Sequence, residues 1–242
     1  MENKSQNDKN IPENNVEQLI EKNKDKKLFL NFWAGMTYEE YLKVKEYENK
    51  SGNLKNDEFL IHPINFEVIN DNESKRIKLS YTNNDNSPYQ GNVYEVIKKY
   101  ENDGLNEIIE TLDKNYQRFD REDYISSIKT NMNFPNKKEL ENKNSVELIR
   151  GLLWSSTEPS TSVYNHISIF WRDNNRLINL EYTIYGDLKK SITVELSISY
   201  VLFNDFRFEI EKELNERKKE IDSLNKEVEQ IEMETEKNKE KL

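Results

Sequence analysis

"ISIFWRDNNRLINLEYTIYGDLKKSITVELSISY", Ile167 to Tyr200, decides the fold class. Ile167, Ile169 and Trp171 occupy alternate positions, and "RDNNR" (Arg172 to Arg176) then supplies turn residues. Ile178, Leu180, Tyr182 and Ile184 alternate next, "YGDLKK" turns again, and Ile192, Val194, Leu196, Ile198 and Tyr200 alternate once more. A period of two sets successive side chains on opposite faces of a strand, so this stretch reads as a three-stranded antiparallel meander with one apolar face and one polar face. Phe170 and Tyr185 fall on the phase opposite the apolar face. Aromatic side chains on an outer sheet face point to an interface.

Toward the N-terminus the same period returns. Phe59 to Ile69 reads as a strand, with Pro63 setting its start at an edge or bulge, and Arg76 to Tyr81 pairs back on it through the turn "NDNES" (Asn70 to Ser74). Between this hairpin and the meander the spacing turns helical. Val93, Val96, Ile97 and Tyr100, then Leu105, Ile108, Ile109 and Leu112, predict two helices separated at Asn102-Asp103-Gly104. Tyr124, Ile125 and Ile128 fit either a helix or a strand, and Pro135 marks a loop. Asn144 with Glu147 forms a capping-box pattern opening a short helix through Leu148, Leu152 and Leu153.

A corner precedes all of this. Leu28 to Trp33 is apolar enough for a buried strand, and a helix begins just after Gly35. Thr37 is a good N-cap, Glu40 completes a capping box three residues on, and Met36 can staple against Tyr41. Tyr38, Tyr41 and Leu42 share one helix face, and Ser51-Gly52 marks the end. Gly35, Thr37 and Glu40 therefore read as a structural helix cap. The "GMTYEE" corner, Gly35 to Glu40, resembles the Gly-Met-Thr/Ser corner of small α+β modules, within a likeness covering residues 28–82. Such modules include the small lipoprotein of the outer-membrane β-barrel assembly machine and the β-lactamase-inhibitory proteins. The resemblance implies a helix packed on antiparallel sheet and a binding or scaffolding role. The chain departs from the lipoprotein pattern in having neither a signal peptide nor a lipid-bearing cysteine.

From about Asp205 to the end the sequence predicts one long helix. Ile210, Leu214, Ile221, Leu224, Val228 and Ile231 follow 4-3 spacing, a coiled-coil seam with Arg217 set into it. A helix with one narrow apolar stripe needs a partner, either a second copy or another protein. At the other end, Ile11, Val16, Leu19 and Ile20 line one face of a short helix that needs something to dock on.

Composition narrows the chemistry. The chain has 242 residues, of which 34% are hydrophobic, concentrated between about Leu28 and Phe208. A net charge of −10 repels phosphate backbones, so nucleic acid is not expected as a partner, and the short basic run Lys24 to Lys27 reads as a solvated lead-in. With no cysteine, disulfides, thiolate catalysis and cysteine-ligated zinc are excluded, and the chain fits a cytoplasmic setting. No run approaches the ~20 apolar residues of a membrane span. The two histidines, His62 and His166, and six glycines leave little material for a transition-metal site or a phosphate loop, so no cofactor is expected. Only His166-Ile167-Ser168 matches the His-x-Ser/Thr pattern of two-histidine phosphoesterases; His62-Pro63-Ile64 does not. Among 46 acidic residues, Glu39-Glu40, Glu122-Asp123 and Asp71/Glu73 are drawable as acid/base pairs, but nothing singles one out. "SSTEPSTS" (Ser155 to Ser162) reads as a connector.

These observations predict three segments: a loose polar lead-in over 1–26, an α+β domain over 27–204 and a C-terminal helix over 205–242. The domain, with possible sub-modules 27–82 and 93–204, carries antiparallel sheet with helices packed on one face, and the helix serves as a coiled-coil arm. The expected function is non-enzymatic protein–protein contact of an inhibitor, immunity or scaffold type. The alternative is an enzyme or small-ligand binder built from carboxylates, Tyr and Ser.

Overall fold

The computed structural model describes residues 14–61, 63–86, 95, 98, 104–132 and 162–239, without the side chains of 14, 15, 162, 163, 228, 229, 231, 232 and 234–239. The chain forms two compact units, residues 1–119 with 160–203, and residues 120–159 with 204–242.

In the first unit the meander is present and longer than its apolar core predicts. Its strands are β7 (Ser162–Arg172), β8 (Arg176–Asp187) and β9 (Ser191–Leu202). A second meander, β3 (Glu58–Ile61), β4 (Ile64–Asp71) and β5 (Arg76–Asp85), comes earlier in the chain. β5 pairs antiparallel with β9, and the short β6 (Gln117–Arg118) pairs with the far end of β7. The result is one seven-stranded antiparallel sheet, ordered β3-β4-β5-β9-β8-β7-β6. Phe59 to Ile69 is thus two strands rather than one. β3 folds back on β4 with Ile61 opposite Ile64, so the chain reverses around Pro63. A proline fixes φ and removes a ladder donor, which suits a reversal better than a strand interior.

Register carries the alternation across strands. Trp171, Ile178, Tyr200 and Ile77 form one continuous row, and Ile169, Leu180, Ile198, Leu79 and Val68 form the next. Most of these side chains are fully buried. They share a core with Val16 of α1 (Asn14–Lys22), Tyr41 and Val44 of α2 (Tyr38–Lys50), and Leu105, Ile108 and Leu112 of α3 (Leu105–Asn115). The short N-terminal helix thereby has the docking surface its stripe requires. Gly186 sits where the β8–β9 hairpin closes. A Cβ there would come within 2.2 Å of the Ser191 carbonyl oxygen, and its φ of +145° is one that L side chains rarely adopt.

Leu28 to Trp33 is also divided. β1 (Lys27–Phe29) and β2 (Phe32–Trp33) are paired stubs joined by a tight turn in which Leu30 has φ of +45°. Asn31 N–H donates to the Glu48 carboxylate at 3.0 Å, and Asn53 Nδ2 donates to its other oxygen at 2.6 Å. Glu48 is fully buried, so this one side chain ties the turn to the end of α2. The capping box is formed in full: Glu40 N–H donates to Thr37 Oγ1 at 3.2 Å, and Thr37 N–H donates to Glu40 Oε2 at 2.8 Å. Gly35, at φ +71°, makes the bend before it. Met36 and Tyr41 are buried, whereas Tyr38 and Leu42 are exposed, so the shared face expected for the three residues divides.

Two polar clamps hold the sheet ends. Arg118 grips Asp113 through Nε and Nη2 along one guanidinium edge, Trp171 Nε1 donates to the same carboxylate at 2.8 Å, and the guanidinium lies 4.6 Å from the Trp171 ring centre. Hydrogen bonds from Arg118 and then Trp171 hold the Asp113 carboxyl below its ordinary range. In the "RDNNR" turn, Arg176 pairs with Asp173 and donates Nη1 to the Leu28 carbonyl at 2.6 Å, while Asn175 Nδ2 donates to the Asp25 carbonyl at 3.0 Å. The turn therefore also anchors the chain ahead of α2.

The second unit contains α4 (Arg121–Asn131), capped by Asp120, and most of α5 (Phe203–Lys239). The segment that fitted helix or strand is helical. Its Tyr124 ring lies 6.1 Å from Phe206, and Lys218 Nζ donates to the Met132 carbonyl at 2.7 Å. At 37 residues α5 spans about 55 Å.

Candidate functional site

The alternation that fills the core leaves a second set of rows on the outward face of the sheet. Tyr164, Tyr185, Thr193 and Asn84 form one row. His166, Thr183, Glu195 and Thr82 form the next, and Ser168, Glu181, Ser197, Ser80 and Glu67 the one after. Tyr164 is 73% exposed and Tyr185 39%, directly opposite each other across β7 and β8. Phe170, the other outer-face aromatic, is half-buried.

A lattice of side-chain hydrogen bonds sets the surface. Tyr185 Oη donates to Glu195 Oε1 at 2.8 Å, which holds the phenol above its ordinary pKa chiefly because the deprotonated form would lose that bond. His166 Nδ1 lies 3.0 Å from Thr183 Oγ1, and Thr193 Oγ1 donates to Asn84 Oδ1 at 2.9 Å. Ser168 Oγ donates to Asn179 Oδ1, and Asn179 Nδ2 donates to Glu181 Oε1. These short-range bonds fix rotamers on a flat surface. They supply two aromatic π faces and two carboxylates in adjoining rows, suited to receiving cationic and aromatic side chains.

The acid/base pairs drawable from sequence have other occupations. Glu40 caps α2, Glu122 pairs with Arg121 at 2.9 Å, and Asp71 Oδ1 accepts from Ser74 N–H in its turn. Asp123 N–H is bonded to the Asp120 cap, and Glu39 is exposed in the first turn of α2. His62, Asn144, Glu147 and all of "SSTEPSTS" except Ser162 lie outside the described residues. Among the described residues no group of three His, Asp or Glu side chains is placed to hold a metal ion.

Besides a shallow surface depression at Asn49 and Leu54 to Asp57, the described residues form a small cavity in the first unit and an open groove in the second. The first unit has a cavity of about 70 Å³ lined by Ile64, Tyr81, Leu105, Tyr182, Val194 and Leu196, with Asn83 at its margin. That volume holds a few waters, far below the ~300 Å³ at which small-molecule sites begin. In the second unit an open groove of about 400 Å³ runs between α4 and α5, with Tyr124, Ser127, Arg207 and Glu211 on its walls. Arg207 and Glu211 are paired with each other at 2.7 Å.

The coiled-coil seam divides along α5. Ile210 and Leu214 are buried, Ile221 is half-buried and Leu224 is 59% exposed. The side chains of Val228 and Ile231 lie outside the described residues. The proximal seam is thus buried within the chain, and at Leu224 the stripe meets solvent. No helix among the described residues is long and apolar enough to cross a membrane.

The alternation marks Tyr185 and Phe170 for the outward face but not Tyr164, because its apolar pattern begins only at Ile167. The phase that placed Phe170 outside also places Tyr164 there, had the strand been extended through "VYNH". Glu48 had no signal, since its partners lie 17 residues before it and 5 after.

No family model matches this chain, and neither a curated protein nor a solved structure matches it. The functional reading therefore rests on the residues themselves.

Proposed function

We propose that this chain is a non-enzymatic protein-binding module that recognises a basic protein partner through the outward face of its sheet. The observation that carries the reading is the exposed Tyr164 opposite Tyr185 on the sheet, with Tyr185 hydrogen-bonded to Glu195. Tyrosines contribute large contact area at small entropic cost, and arginine or lysine from a partner can stack on their rings and reach the carboxylates. The net charge of −10 favours encounter with basic proteins and disfavours nucleic acid. The distal part of α5 is the second contact element of this reading, a coiled-coil arm whose exposed Leu224 marks where a partner helix would lie. The setting consistent with a cysteine-free chain is the cytoplasm.

The test compares full-length wild type with a Tyr164→Ala/Tyr185→Ala double variant and a Glu195→Lys variant, each used to capture proteins from the native host. The expected result is a basic protein retained by wild type, released by moderate salt, and lost from both variants while their unfolding midpoints stay near wild type. A partner retained by both outer-face variants and lost on Leu224→Asp would move the contact to α5. A partner of acidic or nucleic-acid character would overturn the reading.

A small-ligand reading has one observation behind it, the groove between α4 and α5. Its charged walls satisfy each other, so it presents no unmatched charge toward a ligand.

A further inference from the structure

The first unit holds one arrangement in two versions. At the sheet end, Trp171 Nε1 donates to Asp113 Oδ1 at 2.8 Å. Arg118 lies 4.6 Å from the centre of that ring and bonds both Asp113 oxygens, with Nη2 to Oδ2 at 2.8 Å. Ring, carboxylate and guanidinium thus form a set of three, each in contact with the other two. On the outward face, Tyr185 Oη donates to Glu195 Oε1 at 2.8 Å, which repeats the first two parts. Here the chain supplies no third. Among the described residues no arginine or lysine pairs with Glu195 or lies over the Tyr185 ring, and both residues are exposed.

The chemistry of the pair selects among cations. A carboxylate offers about four lone-pair sites, and Tyr185 uses one of those on Oε1, so both oxygens can still accept from a forked donor. A guanidinium is planar, and its parallel N–H groups match the two oxygens while its face lies on an aromatic ring. An ammonium is a compact, strongly hydrated point charge and gains less from a flat surface. The lysine counterpart in this chain is looser. Lys45 Nζ lies 5.6 Å from the Tyr41 ring centre and 3.6 Å from Asp57, and Tyr41 Oη bonds the Val68 carbonyl rather than a carboxylate.

We infer that Tyr185 and Glu195 form a seat for an arginine side chain of the protein partner, its guanidinium stacked on the Tyr185 ring and forked onto the Glu195 carboxylate. Tyr164, opposite Tyr185 on β7 and 73% exposed, sets a second ring beside the seat. The inference rests on the outer-face reading and narrows it from basic partners in general to those that present an arginine.

The test uses the full chain and two fluorescently labelled peptides, hexa-arginine and hexa-lysine, with affinities taken from anisotropy at about physiological salt. The peptides carry equal charge, so the general attraction of a −10 chain cancels in the ratio of their affinities. Wild type is expected to prefer hexa-arginine by about five- to tenfold. Tyr185→Ala removes the ring. Glu195→Gln keeps an acceptor for the Tyr185 hydroxyl but loses the charge and the second acceptor oxygen. Each should bring the ratio close to one with the unfolding midpoint near wild type, a change that a merely structural role would not produce. A preference that survives either substitution would overturn the inference. Equal binding of both peptides by wild type, lost in the Tyr164→Ala/Tyr185→Ala double variant, would also overturn it while leaving the outer-face reading in place. If neither peptide binds, or both bind the double variant as well as wild type, the outer-face reading fails and the arginine seat with it.

Discussion

The two faces of β8 are made from one strand and do opposite work. Ile178, Leu180, Tyr182 and Ile184 lie in the core, while Asn179, Glu181, Thr183 and Tyr185 alternate with them on the outside. The inward set is specified by volume and apolarity. The outward set is held by hydrogen bonds between neighbouring strands, such as Tyr185 to Glu195 and Ser168 to Asn179. The difference teaches that stability and recognition are separable on this sheet at the resolution of single residues.

The strongest way to break that separation is Leu180→Ala. It deletes a fully buried side chain and is expected to cost about 2–5 kcal/mol in denaturant unfolding. Tyr185→Ala on the same strand should change stability by only about 0.5 kcal/mol. Equal losses would mean that the outer face is also part of the core. The same contrast runs along α5, where Leu214→Ala is expected to fall in the larger class and Leu224→Ser in the smaller.

A smaller effect tests whether a buried polar group can serve the inward set. Glu48→Ala leaves the Asn31 N–H without its acceptor and should cost about 1–3 kcal/mol, with Glu48→Gln milder because one carbonyl oxygen remains. Thr37→Ala removes a cap at the exposed start of α2 and is expected to cost about 1 kcal/mol while leaving outer-face binding unchanged.

The smallest expected effect is on acid stability. Burial pushes the Asp173 carboxyl up, but bonds from the Arg176 side chain and from the Asn175 and Arg176 N–H groups outweigh it and hold the carboxyl below its ordinary range. A depressed folded value means the contribution is complete above the ordinary carboxylate range and is lost as pH falls through the lowered value. Urea midpoints followed from about pH 5 down to about pH 2.5 should fall less steeply for Asp173→Asn than for wild type. Parallel slopes would show that the clamp does not couple folding to this proton.

Much of the fold was legible because it obeys local rules. The alternation in Ile167 to Tyr200 located the meander, Thr37 and Glu40 located the start of α2, and the 4-3 spacing located α5. The errors were local as well. Leu28 to Trp33 reads as one strand, yet Leu30 and Asn31 reverse inside it, where Glu48, distant in sequence, accepts the Asn31 N–H. The 4-3 stripe from Ile210 to Ile231 marks one helix face, of which Ile210 and Leu214 are buried inside the chain and Leu224 is exposed. A periodic stripe shows which residues share a helix face but not what covers that face.

The sequence by itself determined the period of each element, the helix cap, the cysteine-free chemistry and the acidic charge, since each depends only on residue identity and on neighbours a few positions apart. Tertiary structure alone decided that β5 would meet β9 and fuse two meanders, that Arg176 would hold the Leu28 carbonyl, and that Trp171 would reach Asp113. Those outcomes depend on which backbone groups and apolar faces remain unmatched after local structure has formed. Such matching is made between residues up to about 150 positions apart, as in the 148 separating Arg176 from Leu28, so no window along the chain contains it.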